Sequence, residues 1–127
     1  MNARFPRSLR LAHDRQYQRV YAARRSRARG SIVVHAAANG LAFSRVGLSV
    51  GRRAAPRATD RNRIKRMLRE AFRLSAGELP GGFDFVISAR SRSVPELPVL
   101  RTVLMELARA ATADAGRGHD NARSNAP

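Results

Sequence analysis

Apolar residues recur along the chain with two different spacings. Toward the C-terminus, Leu100, Val103, Leu104, Leu107, Ala108 and Ala111 follow the steps i, i+3, i+4, i+7, i+8 and i+11, one continuous stripe on a helix beginning near Pro98. That stripe is a core face. The stretch RNRIKRMLREAFR, residues 61 to 73, carries a second one. At about 100° per residue, Ile64, Met67, Leu68, Ala71 and Phe72 share an arc of roughly 140°. Asn62, Lys65, Arg66, Arg69 and Arg73 fall on the opposite side, and Arg61 and Arg63 splay to opposite shoulders with Asn62 between them. GELPGG (77–82) stops this helix near Ala76, and AAPRATD (54–60) offers Pro56 for its first turn and Thr59 or Asp60 as its cap. Tyr17, Val20 and Tyr21 predict a shorter helix over 13–25, with Asp14 as its N-cap.

Period-two and β-branched runs predict three strands, SIVVHAAA (31–38), SRVGLSVGRR (44–53) and FDFVISA (83–89). Asn39–Gly40 predicts a turn that pairs the first two strands antiparallel. On the first strand, Val33 and Ala37 share the side of His35. RRSRARG (24–30) reads as a basic loop. The order helix, strand, strand, helix, strand, helix predicts an α+β fold, a small and mostly antiparallel sheet with helices packed on it. It fits a single domain over residues 1–112. Residues 113–127 have almost nothing apolar to bury and are expected to form a disordered tail.

Composition narrows the function. A chain of 127 residues suits one core. No apolar run reaches the length of a membrane span, and the N-terminus lacks the apolar segment of a secretory signal, so a cytoplasmic protein is expected. The absence of cysteine excludes disulfides, thiolate chemistry and cysteine metal sites. The acids are scattered, no carboxylate pair accompanies a histidine at metal-ligand spacing, and the one His–Asp dipeptide, His119–Asp120, lies in the tail. A nuclease carrying its own chemistry needs such groups in a formed cleft. No protein-bound cofactor or metal is expected.

Charge changes the picture most. The net charge is +16, and residues 1–73 hold all of the excess, with 19 Arg and Lys against three acids; residues 74–127 balance six against six. Such concentration suits a polyanion, because each phosphate neutralised releases condensed counterions. An anionic membrane surface or an acidic protein would also accept it. Helix 61–73 breaks local rules to present its cations. Like charges at i, i+4 each cost about 0.2–0.5 kcal/mol, and the macrodipole disfavours Arg61 and Arg63 in the first turns. A bound polyanion accounts for both violations.

RNRIKRMLREAFR, with RVGLSVGRRAAPRATD (45–60) before it, resembles the signature of the protein subunit of bacterial ribonuclease P. The likeness continues more weakly through FPRSLRL (5–11), YQRVY (17–21), GFDFVISAR (82–90) and the last helix. It implies a ribonucleoprotein endonuclease that removes the 5′ leader from precursor tRNA, in which the RNA subunit holds Mg²⁺ and performs hydrolysis. The implied partners are that catalytic RNA and precursor tRNA, with no membrane and no obligate protein partner. It also implies a left-handed βαβ crossover, against the usual hand.

Position by position, the resemblance gives Arg61, Asn62, Arg63, Lys65, Arg66 and Arg69 to the helix that faces the catalytic RNA, and Arg52 and Arg53 to the basic pair before it. Tyr17, Tyr21 and His35 match a cleft for the single-stranded leader. Arg90 and Arg92 match a further basic pair. Tyrosines one helical turn apart suit base stacking, at about 1–3 kcal/mol per base, although such residues also serve as ordinary boundary aromatics. Arg24, Arg25, Arg27 and Arg29 are expected to add salt-dependent affinity without specificity. The alternative is a structural RNA-binding protein of ribosomal type, which has no need of a tyrosine-lined cleft. A DNA-binding regulator is disfavoured, because the basic helix lies between strands rather than in a helix-turn-helix.

Overall fold

The computed structural model describes residues 7–113. A short 3-10 turn, Arg7–Leu9, leads to helix α1 (Asp14–Ala22), strands β1 (Ser26–Arg29), β2 (Ile32–Ala38) and β3 (Arg45–Ser49), helix α2 (Ala58–Ser75), strand β4 (Phe83–Ala89) and helix α3 (Leu97–Thr112). Residues 114–127 of the expected tail lie outside the described residues. None of the described helices is long and apolar enough to cross a membrane.

The sheet order is β1-β2-β4-β3. β4 therefore inserts between the two strands expected to be neighbours, antiparallel to β2 and parallel to β3. The Asn39–Gly40 turn forms, with Gly40 at φ 74°, but it opens a wider loop instead of a tight hairpin. Asn39 accepts from Leu41 N and donates to the Phe43 carbonyl and to Asp84, which carries the chain across the end of β4.

The expected basic loop is also corrected. Its centre is β1, an edge strand exposed along its whole length and paired antiparallel with β2. Register Arg29↔Ile32 leaves Gly30–Ser31 as a two-residue turn, with Gly30 at φ 59°. The strand lacks an apolar face because edge pairing to β2 supplies its hydrogen bonds.

Helix boundaries shift for local reasons. His13, not Asp14, is the N-cap of α1, and Gln16 Oε1 accepts from Ala12 N and His13 N at 2.6 and 3.0 Å. α2 begins at Ala58 after Arg57, so Pro56 precedes the helix and Thr59 and Asp60 lie within its first turn. β3 stops at Ser49, short of Arg52 and Arg53.

Two cores use the two sheet faces. On one face, Ile32, Val34, Phe85 and Ile87 meet Ile64, Leu68 and Phe72 of α2 and the predicted stripe of α3, every member of which is buried. Full burial of such side chains contributes about 1.5–3 kcal/mol each. On the other face, a smaller cluster of Leu11, Val20, Ala37 and Val86 lies beneath α1, with Tyr17 packed against it.

Candidate nucleic-acid interface

The outward side of α2 carries the cations that its heptad-like apolar spacing leaves over. Asn62, Arg63 and Arg66 are exposed, and Lys65 and Arg69 are half-buried where the helix turns toward the sheet edge. Arg61 and Arg63 point to different groups. The Arg61 guanidinium donates to the carbonyls of Ala55 and Pro56 at 3.0 and 2.9 Å, clasping the entry loop to the helix. Arg63 Nη1 lies 3.7 Å from Met67 Sδ. Arg73 is tied to Glu70, holding that carboxyl below and the guanidinium above their ordinary ranges. Arg52 and Arg53 are exposed in the turn after β3.

α1 lies across the opposite sheet face, and a buried charge cluster sets its position. Asp84, wholly buried on β4, accepts from Arg45 Nε and Nη2 at 2.9 and 2.8 Å, from Asn39 Nδ2 at 2.9 Å and from Arg19 of α1. Arg19 also donates to the Ala38 carbonyl at 2.9 Å. Burial alone would raise the Asp84 pKa; the hydrogen bonds from Arg45 and Asn39 and the charges of Arg45 and Arg19 outweigh it and hold it below the usual range. Arg45 is raised by the same hydrogen bond. The cluster fastens α1 to β4 and β3 at one end.

Tyr17 fastens α1 further along. Its hydroxyl accepts from Leu48 N at 3.2 Å, while Leu11 N donates to the Val46 carbonyl at 2.9 Å. Together they occupy the outer edge of β3, which would otherwise be open. Gly47 makes this approach possible. A Cβ there would stand 2.6 Å from Tyr17 Cζ, so any side chain displaces the ring.

These contacts sort the predicted residues into two groups. Tyr21 and His35 meet edge to face, with ring centroids 4.9 Å apart and planes at 89°. Burial, and then the charge of Arg90, lower the His35 pKa. Tyr17, by contrast, joins Lys65 and Arg69, which line one cavity with Arg10 and the backbone of β3. Arg92 stands apart. Its Nη1 is 3.6 Å from Asp60 in the first turn of α2, an intramolecular partner that sequence spacing did not reveal. Val33 and Ala37, on the side of His35, are both buried.

Sequence reasoning passed over Arg10, Gly47 and the cluster of Arg19, Arg45 and Asp84. A glycine inside a strand pattern is itself a signal of close approach, and Gly47 carried it.

The fold and this surface define a small basic α+β protein whose cations gather on one helix beside an aromatic-bearing helix across the sheet edge. The profile of the Ribonuclease P family matches residues 5–110, and the chain belongs to that family. It is 38% identical over 111 residues to the ribonuclease P protein component of Chromobacterium violaceum, covering 84% of this chain and 91% of that one. It is 41% identical over 86 residues to the Escherichia coli protein component, covering 68% and 71%. Among solved structures, the ribonuclease P protein of Thermotoga maritima superposes with a TM-score of 0.69 at 33% identity, covering 79% of this chain and 96% of that one. A Staphylococcus aureus ribonuclease P protein superposes with a TM-score of 0.67 at 25% identity, covering 78% and 91%.

Proposed function

We propose that the chain is the protein subunit of a ribonuclease P ribonucleoprotein, binding both the catalytic RNA and the single-stranded 5′ leader of precursor tRNA in the cytoplasm. The observation that carries this reading is the contiguity of two surfaces. The aromatic side of α1 and the cationic side of α2 meet across the edge of β3, where Tyr17, Lys65 and Arg69 line one cavity.

In this reading, Arg63, Arg66 and Arg69 supply phosphate contacts to the catalytic RNA, and Arg52 and Arg53 extend that surface. Asn62, exposed and uncharged, makes a directional hydrogen bond. Tyr21 and His35 offer adjoining rings to unpaired bases, and Arg90, whose charge is felt at His35, supplies a backbone contact. Arg61 mainly holds the entry loop in place, and Arg92 steadies the first turn of α2 through Asp60.

Mg²⁺ and the hydrolytic chemistry are assigned to the RNA subunit. Among the described residues no three His, Asp or Glu side chains converge, and the carboxylate of Asp84 is already engaged by Arg45 and Arg19.

Reconstitution tests the proposal. Added to the cognate catalytic RNA at low Mg²⁺, the protein is expected to raise the rate of leader removal, and alone to cleave nothing. No stimulation at any ionic strength would discard the reading in favour of a structural RNA-binding role, and robust cleavage by the protein alone would overturn the division of labour.

A further inference from the structure

We propose that the groove between the Gly30–Ser31 turn and the start of α3 is a docking site for one unpaired nucleotide of the catalytic RNA subunit, continuing the RNA face of α2 onto α3. This rests on the reading of the protein as a ribonuclease P subunit and adds to it a base-sized contact on the sheet face away from α1.

Local bonds build the groove. Ser31 Oγ donates to the Ser93 carbonyl at 2.6 Å, Ser93 N donates to Ser91 Oγ at 3.2 Å, and Arg90 N donates to the Ser31 carbonyl at 2.8 Å. They hold the loop after β4 against the start of β2, so both walls are preformed. Between the walls Val94, Pro95, Val99 and Val103 make an apolar floor, and the volume is about 500 Å³. Sites for single small molecules span about 300–1,000 Å³. Val99 is 55% exposed, the most exposed of the large apolar side chains among the described residues. A lone surface valine needs no explanation, but this one continues a floor.

Charge stands at the margins of that floor. Arg29 lines the turn wall, and Arg92 sits in the loop wall between Ser91 and Ser93. Both are partnered, Arg29 with Glu106 at 2.6 Å and Arg92 with Asp60 at 3.6 Å. The two guanidinium side chains are 61% and 62% exposed. Pairs so exposed are weak, and a phosphate oxygen can replace either carboxylate. Ser91 Oγ, which accepts from Ser93 N, leaves its own proton to donate to a base edge. An apolar middle with a hydroxyl beside it and cations at its margins matches a nucleotide, a flat neutral base with a phosphate on either side.

Position selects the RNA. Arg29 pairs with Ile32, a member of the core beneath α2 and α3, so the groove opens on that face of the sheet. His35 shares the other face with Ala37, under α1. Through Asp60, Arg92 reaches the first turn of α2, two residues before Asn62. An RNA lying along α2 therefore arrives at the groove without crossing the sheet. Glu96 and Glu106 offset the local arginines, so a free nucleotide gains little from charge. A base carried by RNA already bound on α2 is presented at high effective concentration.

The chain contains no cysteine, which makes a direct test available. Val99→Cys carries the sole thiol, is coupled to an azidophenacyl photo-crosslinker and is assembled with the full catalytic RNA. Irradiation is expected to label one unpaired nucleotide of the catalytic RNA, mapped by primer extension, with or without precursor tRNA present. Leu41→Cys, beyond the opposite end of β2, carries the same group and is expected not to label that nucleotide. In a second arm, Val99→Asp is expected to weaken affinity for the catalytic RNA about tenfold with Tm unchanged, and to cause no loss when the labelled nucleotide is made abasic. Labelling of precursor tRNA instead, the same nucleotide labelled from both cysteines, or equal Val99→Asp losses on intact and abasic RNA would each overturn the proposal. Labelling of neither RNA would also overturn it and leave the groove to a protein partner. Failure of the underlying reading is separate, since the unsubstituted protein would then give no stimulation of leader removal.

Discussion

Replacing Asp84 by asparagine removes the charge from the one carboxylate that joins α1, β3 and β4. Nδ2 of the new amide would face an arginine donor, so at least one of the Arg45 or Arg19 contacts becomes donor against donor. Breaking a buried pair by deleting one partner costs about 3–5 kcal/mol. Here the arginine side chains are 21% and 46% exposed and partly rehydrate, which brings the expected loss to about 3 kcal/mol. For a domain of this size that lowers Tm by roughly 12 °C. Urea and thermal unfolding followed by circular dichroism measure both. The pH dependence adds a sharper check. The folded pKa of Asp84 lies below its ordinary value of 3.8, so its contribution is complete above that value and is lost as pH falls through the folded pKa. The gap between wild type and Asp84→Asn should therefore close on acidification. A gap that stays constant to pH 2, or a loss under about 0.5 kcal/mol at pH 7, would refute the reasoning.

Other outcomes follow from the interface. Tyr17→Ala with Tyr21→Ala should weaken precursor tRNA far more than mature tRNA in equilibrium binding; equal losses would return both residues to a purely structural role. Arg66→Ala should reduce the salt slope of RNA affinity by about one, whereas Asn62→Ala should lower affinity with the slope nearly unchanged. His35 has a lowered pKa, so folding favours its neutral form and stability should decline as pH falls below about 6.5. His35→Gln should flatten that part of the stability curve, read from urea midpoints at pH 5 to 8.

Much of this was legible from spacing. The buried stripe of α3 and the two-sided character of α2 follow from a 3.6-residue period that tertiary packing had no reason to override. The run of β4 was legible from a different signal, a β-branched and aromatic run, and the α+β class from the order of helices and strands. Strand neighbours were not, because the Asn39–Gly40 signal specifies a local reversal and cannot say that β4, more than forty residues on, fills the place beside β2. β1 escaped because an exposed edge strand needs no apolar alternation, although Gly30–Ser31 carried a hairpin signal. At the interface, residue types identified the cations and aromatics. Their sorting into a Tyr21–His35 pair and a Tyr17–Lys65–Arg69 cavity depends on how α1 crosses the sheet. So does the separate use of Arg61 as a clasp, which no helical wheel distinguishes from an RNA contact.

α1 stands on a cluster of four buried residues, whereas α2 and α3 share one of nineteen. The molecule is accordingly a stable two-helix slab with a thinly attached cover. Opening of that cover exposes little apolar surface and is resisted mainly by the Asp84 cluster and the Tyr17–Leu48 contact, so amide exchange should be faster in α1 than in α2 or α3. An RNA strand that touches both the cover and the slab binds only the closed form, and its arrival would be recorded as slowed exchange along α1.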